Sequence, residues 1–200
     1  MNIIVIVITV IISILAFYNP VLFERLKFSP YAVKQRNESW RFASYALVHA
    51  GWLHLFINMW VLYSFGDIVE RTFRMNYGAK GMFYYLLFYV GGILFSVLFD
   101  FNKYKDNVYY SAVGASGAVS AVIFSSILIY PVGSIYIFPI PFSIPSWLFG
   151  ILYLAYVIYM QKHGHDNVGH SAHFWGAVFG LGLTIILLPH VLSSFMLQMF

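Results

Sequence analysis

Ser116 and His173 are the two residues of this chain whose types and settings suit covalent chemistry. The serine lies in Gly114-Ala115-Ser116-Gly117 and the histidine in Ala172-His173-Phe174-Trp175-Gly176, followed by Gly180. Each sits just inside the start of a separate apolar stretch, flanked by the smallest residues available. A polar side chain in hydrocarbon is costly unless it has a partner or a wet cavity. A hydroxyl and an imidazole can satisfy one another, and such a pair is a nucleophile with its general base. The chemistry implied is that of a serine hydrolase working inside a lipid bilayer.

The elements that must position this pair follow from composition. Of 200 residues, 61% are hydrophobic and 9% charged, against roughly a quarter charged in a soluble domain. A hydrocarbon core about 30 Å thick takes about 20 residues per helical crossing, which leaves room for about five to seven spans and short loops. The reading is an all-α polytopic membrane protein, a six-transmembrane-helix bundle, with residues 1–200 forming a single domain. Its spans fall at roughly 3–19, 45–68, 82–99, 113–130, 147–160 and 170–188. The first has no basic segment before it and no small-residue cleavage site after it, so it reads as a retained span rather than a signal peptide. From Pro20 to about Ala43, Arg25, Lys27, Lys34, Arg36 and Arg41 lie among aromatic residues, as in a long interfacial loop. Glu70, Arg71, Arg74 and Lys80 form a charged turn, and Pro131, Pro139, Pro141 and Pro145 interrupt the stretch after the fourth span.

Several function classes drop out. The chain has no cysteine, so disulfides, thiol catalysis and cysteine metal sites are excluded. Its net charge of +4 is scattered through loops without a basic run, which suits membrane lipids and gives nucleic acid no support. Neither a metal nor a cofactor is expected.

With six spans, the second, fourth and sixth all start from one membrane face. That brings His49, His54, Asn58, Ser116 and His173 to one level, roughly 5 Å below the helix mouths at 1.5 Å per residue, within reach of water. Gly114, Gly117, Ala118 and Ala121 give the fourth span a small face, and Gly176 with Gly180 gives the sixth a strip that lets two helix backbones approach. The first turn of a helix offers free N–H groups to an oxyanion. His54 and Asn58, four residues apart, share a helix face and can add donors from the opposite side. Every Asp and Glu lies in a loop or at a helix end, so the simplest proposal is a Ser116–His173 dyad.

In order and spacing, Trp40-Arg41, His54-Leu55-Phe56-Ile57-Asn58, Gly66 with Glu70-Arg71, Gly114-Ala115-Ser116-Gly117, and Ala172-His173 with Gly176 and Gly180 resemble the rhomboid intramembrane serine proteases, in a minimal six-span bacterial type. The resemblance covers nearly the whole chain. It implies a nucleophile at Ser116, a general base at His173, and an oxyanion and substrate site from His54, Asn58, Gly114 and the Ser116 N–H. It also implies cleavage of transmembrane protein substrates near the outer face of a bacterial cell (inner) membrane, beside small residues where a substrate helix unwinds readily. Movement of the fifth span and the loop after it would admit substrate, while Trp40-Arg41 and Glu70-Arg71 would be structural. This chain departs from the pattern in two places. Many relatives carry a bulky aromatic four residues after the serine, stacked on the catalytic imidazole, where this chain has Ser120. Its odd-numbered loops also hold eight Lys/Arg and its even-numbered loops three, so the positive-inside rule points the active face to the cytoplasm. The resemblance points it outward, and that orientation is adopted.

Two rival functions remain in view. A histidine-rich metal-binding membrane protein would use His49, His54, His163, His165, His170 and His173. A non-catalytic binder of transmembrane segments would leave Ser116 idle. Taken singly, Asn58 could bond across to a neighbouring helix, His49 reads as a mouth-facing interfacial residue, and His163, His165 and His170 read as solvated loop residues. Gly91-Gly92 reads as a close-packing site in the third span.

Overall fold

The structure, a computed structural model, describes residues 1–136, 141–164 and 168–200. Pro139 and His165 lie outside them. Ten α-helices are described: α1 (Asn2–Tyr18), α2 (Pro20–Leu26), α3 (Pro30–Arg36), α4 (Arg41–Ser44), α5 (Trp52–Tyr77), α6 (Gly81–Tyr104), α7 (Ser116–Ile129), α8 (Ser146–His163), α9 (His170–Leu187) and α10 (Val191–Met199). A small antiparallel ribbon, β1 (Ser134–Tyr136) with β2 (Ser143–Pro145), precedes α8. The chain is mostly helical, and the ribbon is a departure from the all-α reading.

The polarity of the helices is inverted relative to a water-soluble bundle. On α1 the buried residues are Asn2, Thr9, Ser13 and Ala16, while Ile3, Ile4, Val7, Ile8, Ile11 and Leu15 are exposed. On α5, Asn58, Gly66 and Glu70 face inward and Leu53, Phe56, Ile57 and Trp60 face outward. In water an amphipathic helix does the reverse, whereas in lipid the apolar side faces the solvent and polar groups find partners inside. Two helical stretches among the described residues are long and apolar enough to cross a membrane: Trp52–Tyr104, which reverses at a 3₁₀ turn, and His170–Leu187. The apolar helices α1 and α7 are shorter.

Helix bounds differ from the hydropathy reading where backbone chemistry intervenes. The second stretch is helical from Trp52, after an extended Gly51, rather than from Tyr45, and it continues to Tyr77 rather than stopping near Ile68. Residues 45–48 are apolar because they are packed: Tyr45, Ala46 and Val48 are buried around a short 3₁₀ turn. The fourth stretch becomes helical only at Ser116, not near Val113, because Gly114 adopts φ +106°, a conformation suited to glycine.

The long first loop is itself folded. Asn19 and Ser29 cap α2 and α3 through their side chains, each followed by proline at the first helical position, the pattern that starts a helix. Arg41 is buried, bonds Glu38 at 2.5 Å and donates to the carbonyls of Glu24 and Lys27 at 2.8 and 2.7 Å. It therefore ties α2, its following turn and α4 together. Lys34 reaches Asp106 across to the next loop on the same side, and Tyr110 donates to the buried Asp100 at 2.8 Å. Burial, and then the Asp100 carboxylate, pushes the Tyr110 phenol above its usual range, so it keeps the proton it donates. Arg41→Met should cost about 3 kcal/mol by leaving Glu38 and two carbonyls unpaired. A thermal melt in detergent reads this directly, and an unchanged midpoint would show the loop stands without Arg41.

At the other end of the bundle, Glu70 accepts from the Met1 ammonium and the Asn2 N–H at 2.6 and 2.7 Å. Tyr85 donates to Asn2 Oδ1 at 2.7 Å. These bonds tie α1 to α5 and α6 and give Glu70 the structural place expected of it.

Candidate active site

The largest helix–helix contact in the bundle is between α7 and α9. Small residues make it possible. A Cβ at Gly176 would overlap the Gly117 carbonyl oxygen and lie 2.8 Å from the Gly117 carbonyl carbon, and one at Gly180 would overlap the Ala121 oxygen. Further along, the Thr184 hydroxyl bridges Ser125 Oγ at 2.7 Å and Gly180 O at 2.6 Å. From the α7 side, a Cβ at Gly117 would lie 3.3 Å from Ala172 O and against Ser96 of α6. The first turns of α7 and α9 are thus backbone to backbone. Ser116 precedes Gly117, and His173 follows Ala172 and lies three residues before Gly176. Both side chains are half-buried.

The segment leading into Ser116 is fixed by residues from three elements. Gly114 N–H donates to Tyr45 O at 3.0 Å, and Tyr45 donates to Ile93 O of α6 at 2.8 Å. Ala115 N–H points at His49 Nε2 at 3.4 Å. The other His49 nitrogen lies 2.9 Å from Ser13 Oγ, which itself donates to Leu47 O at 2.8 Å. With the Ser13 proton committed to that carbonyl and Nε2 accepting from Ala115, His49 is the neutral Nδ1–H tautomer donating to Ser13. It is fully buried. The mouth-facing reading of His49 is corrected: this side chain is a strut between α1 and the start of α7.

His54, half-buried, faces the same segment from α5. Ala50 N–H donates to its Nδ1 at 3.4 Å, which leaves the proton on Nε2 in the neutral ring. A Cβ on Gly114 would lie 2.9 Å from that Nε2 and 2.6 Å from Cε1. Glycine is therefore required at 114 both by its φ and by the approach of the imidazole. Asn58 is buried, and one of its amide protons goes to His54 O at 2.8 Å within α5, not to a neighbouring helix. Among the described residues, the N–H groups of Ser116, Gly117 and Ala118 have no backbone acceptor and no side-chain cap; the first bond of α7 is Val119 N–H to Ala115 O at 2.9 Å. Such a helix start favours negative charge.

Four of the seven imidazoles form two pairs, His49 with His54 at 5.0 Å and His170 with His173 at 6.2 Å between ring centroids. No group of three His, Asp or Glu suited to hold a metal occurs among the described residues. His170 is the first residue of α9 and is buried, which corrects its reading as a solvated loop residue. His163 is exposed and bonds Tyr159 O at 3.0 Å. Ser120, buried on α7, lies 2.9 Å from the Tyr153 hydroxyl of α8, a partner that sequence reasoning did not find. Gly91 faces Phe179 of α9, and a Cβ added at Gly92 would lie 3.3 Å from Ala118 Cα.

A helical bundle with lipid-type polarity and a polar cluster at the start of a short inner helix defines a class of membrane-embedded protein. Residues 36–190 match the family model described as Rhomboid domain, and the chain belongs to the rhomboid family. It is similar to RHOMBOID-like protein 12, mitochondrial, of Arabidopsis thaliana, with 30% identity over 62% of this chain and 39% of that protein. It is 29% identical to Rhomboid-related protein 1 of Caenorhabditis elegans over 82% of this chain and 44% of the relative. Against Rhomboid-related protein 2 of Mus musculus it is 37% identical over 46% of this chain and 27% of the relative. The chain thus matches less than half the length of each of these relatives. Membership of this family makes it an integral membrane protein of an intramembrane-protease family.

Proposed function

We propose that this protein is a serine endopeptidase that hydrolyses peptide bonds in or near transmembrane segments of other membrane proteins. Ser116 is the nucleophile and His173 its general base. The observation that carries the reading is the contact of Gly117 with Ala172 and Gly176, which sets a serine and a histidine at one level on adjoining helices. His173 removes the Ser116 proton as the hydroxyl attacks, and returns it to the leaving amine. The oxyanion is received by the Ser116 N–H at the uncapped start of α7, with the His54 Nε2–H and the second Asn58 amide proton opposite. Gly114 lines this site with bare backbone. A substrate helix must unwind there, because its carbonyls are otherwise engaged in hydrogen bonds.

Residues 1–200 form one domain in which α1, α5, α6, α7, α8 and α9 are the six spans. At 14 residues, α7 is about 21 Å long, short of the hydrocarbon thickness of about 30 Å by roughly 9 Å. That deficit supports a water-filled recess above Ser116. The active face opens outward, as the resemblance to the family implies, against the Lys/Arg bias of the loops. The relatives, a plant mitochondrial, a nematode and a mouse protein, add nothing for a bacterial inner membrane, so the proposal stops at an integral membrane protein.

The test is cleavage of single-span proteins bearing small residues at the outer end of the span, co-reconstituted with this protein in liposomes. Wild type should release the outer segment. His54→Ala should slow release by about 10²–10³-fold, the usual cost of one oxyanion donor, with an unchanged melt. Equal rates in the two would remove His54 from the site.

A further inference from the structure

Four residues after Ser116, where many relatives place an aromatic, stands Ser120, fully enclosed and too small to touch an imidazole ring. The volume is filled from another helix. Tyr153 of α8 puts its hydroxyl 2.9 Å from Ser120 Oγ. Its ring centroid lies 6.4 Å from that of His173, with the two planes only 28° apart. Phe124 of α7 and Phe149 of α8 pack against the same tyrosine at 5.7 and 5.8 Å. The phenol is thus held at its oxygen by α7 and on its ring by two aromatic neighbours, with a roughly parallel ring facing the histidine within the centroid range of interacting aromatic pairs.

We propose that Tyr153 is a positioning residue that orients the His173 imidazole, taking over from α8 the support that an aromatic on α7 would give, and that Ser120 is its anchor. The inference rests on the protease reading, with His173 as the base. It explains the serine at 120: a small hydroxyl leaves room for the incoming phenol and binds its oxygen. It also ties the base to α8, the helix of the six that buries fewest residues, with only Ser146, Gly150 and Val157 enclosed. Withdrawal of α8 would therefore carry away the ring that steadies the imidazole.

The experiment measures kcat and KM on a reconstituted single-span substrate, the rate constant of fluorophosphonate labelling, and the thermal midpoint. Tyr153→Leu should lower kcat and the labelling rate constant by at least about tenfold, within the ~10²-fold that a small misplacement of a reacting group costs, with KM and midpoint nearly unchanged. Tyr153→Phe keeps the ring and should lose no more than about threefold. Tyr159→Leu, the same change at an exposed position of α8, should keep kcat near wild type. If Tyr153→Leu does not fold, the milder cycle decides: Ser120→Ala, Tyr153→Phe and the double variant should each lose about the same small factor, because both changes break one hydrogen bond. Full kcat in Tyr153→Leu, equal loss in Tyr159→Leu, or full additivity in the cycle would overturn the proposal. Absence of labelling in wild type would overturn the protease reading itself, which separates the two failures.

Discussion

Replacing His173 with alanine should lower turnover of a transmembrane substrate by about 10⁴-fold or more while the protein keeps its fold. Without the imidazole, Ser116 is an ordinary hydroxyl with a pKa far above the working pH, and nothing accepts its proton as it attacks. Removing the base from a serine protease costs about as much as removing the nucleophile, since the two act as a unit. The loss should fall on kcat and leave KM nearly unchanged, because the proton is transferred only in the transition state. His173 is half-buried, so truncation to alanine should leave the melting midpoint within a few degrees. Substantial activity in folded His173→Ala would remove the dyad.

The second large effect is expected at a residue that takes no part in the chemistry. Gly176→Val places a branched side chain where the Gly117 carbonyl stands, with the Gly117 carbonyl carbon and Cα only 2.8 and 3.2 Å from the position of the first added atom. The obstructing atoms are backbone in the first turn of a helix and cannot rotate aside, so α7 and α9 must separate. Overpacking of side chains costs about 1–3 kcal/mol, and a backbone obstacle belongs at or beyond the upper end of that range. Separation also moves His173 away from Ser116, so cleavage should vanish even in molecules that remain folded. Melting and cleavage measured on one preparation check both halves. An unchanged Gly176→Val protein would contradict the helix contact on which the proposed pair depends.

Much of this site could be read from residue types and short spacings. Gly117, Gly176 and Gly180 are small for a reason visible in one dimension, since two helices that meet through backbone must both lack side chains at the crossing. His54 and Asn58 share a face because four residues make about one helical turn, although their hydrogen bond turned out to use the His54 carbonyl. His54 and Asn58 of α5 stood out because a membrane helix must hide such groups, whereas the buried Thr9 and Ser13 of α1 went unremarked in an apolar run. Asn19-Pro20 and Ser29-Pro30 carried the start signals of α2 and α3, but hydropathy blended them into one interfacial loop.

What was hidden depended on long-range partners or on backbone angles. His49 is buried by Ser13, 36 residues away, and by the Ala115 N–H, 66 residues away. No local pattern distinguishes such a histidine from an interfacial one. Val113 belongs to the apolar run of the fourth stretch, and only the positive φ of Gly114 shows that the helix starts later. Ser120 read as a gap in a family pattern, and the ring that fills it comes from Tyr153, 33 residues on. The early start assigned to the second span has the same origin: hydropathy reports burial, and Tyr45, Ala46 and Val48 are buried without belonging to α5.

The central claim is that Ser116 is a nucleophile activated by His173. Mass spectrometry of the detergent-purified protein after fluorophosphonate treatment tests it most directly, by locating the adduct and timing its formation in wild type and in His173→Ala. A single phosphonyl group on the peptide containing Ser116, formed readily in wild type and suppressed by at least about 10³-fold without the imidazole, is the expected result. An unmodified Ser116, an adduct on some other residue, or equal labelling with and without His173 would contradict it.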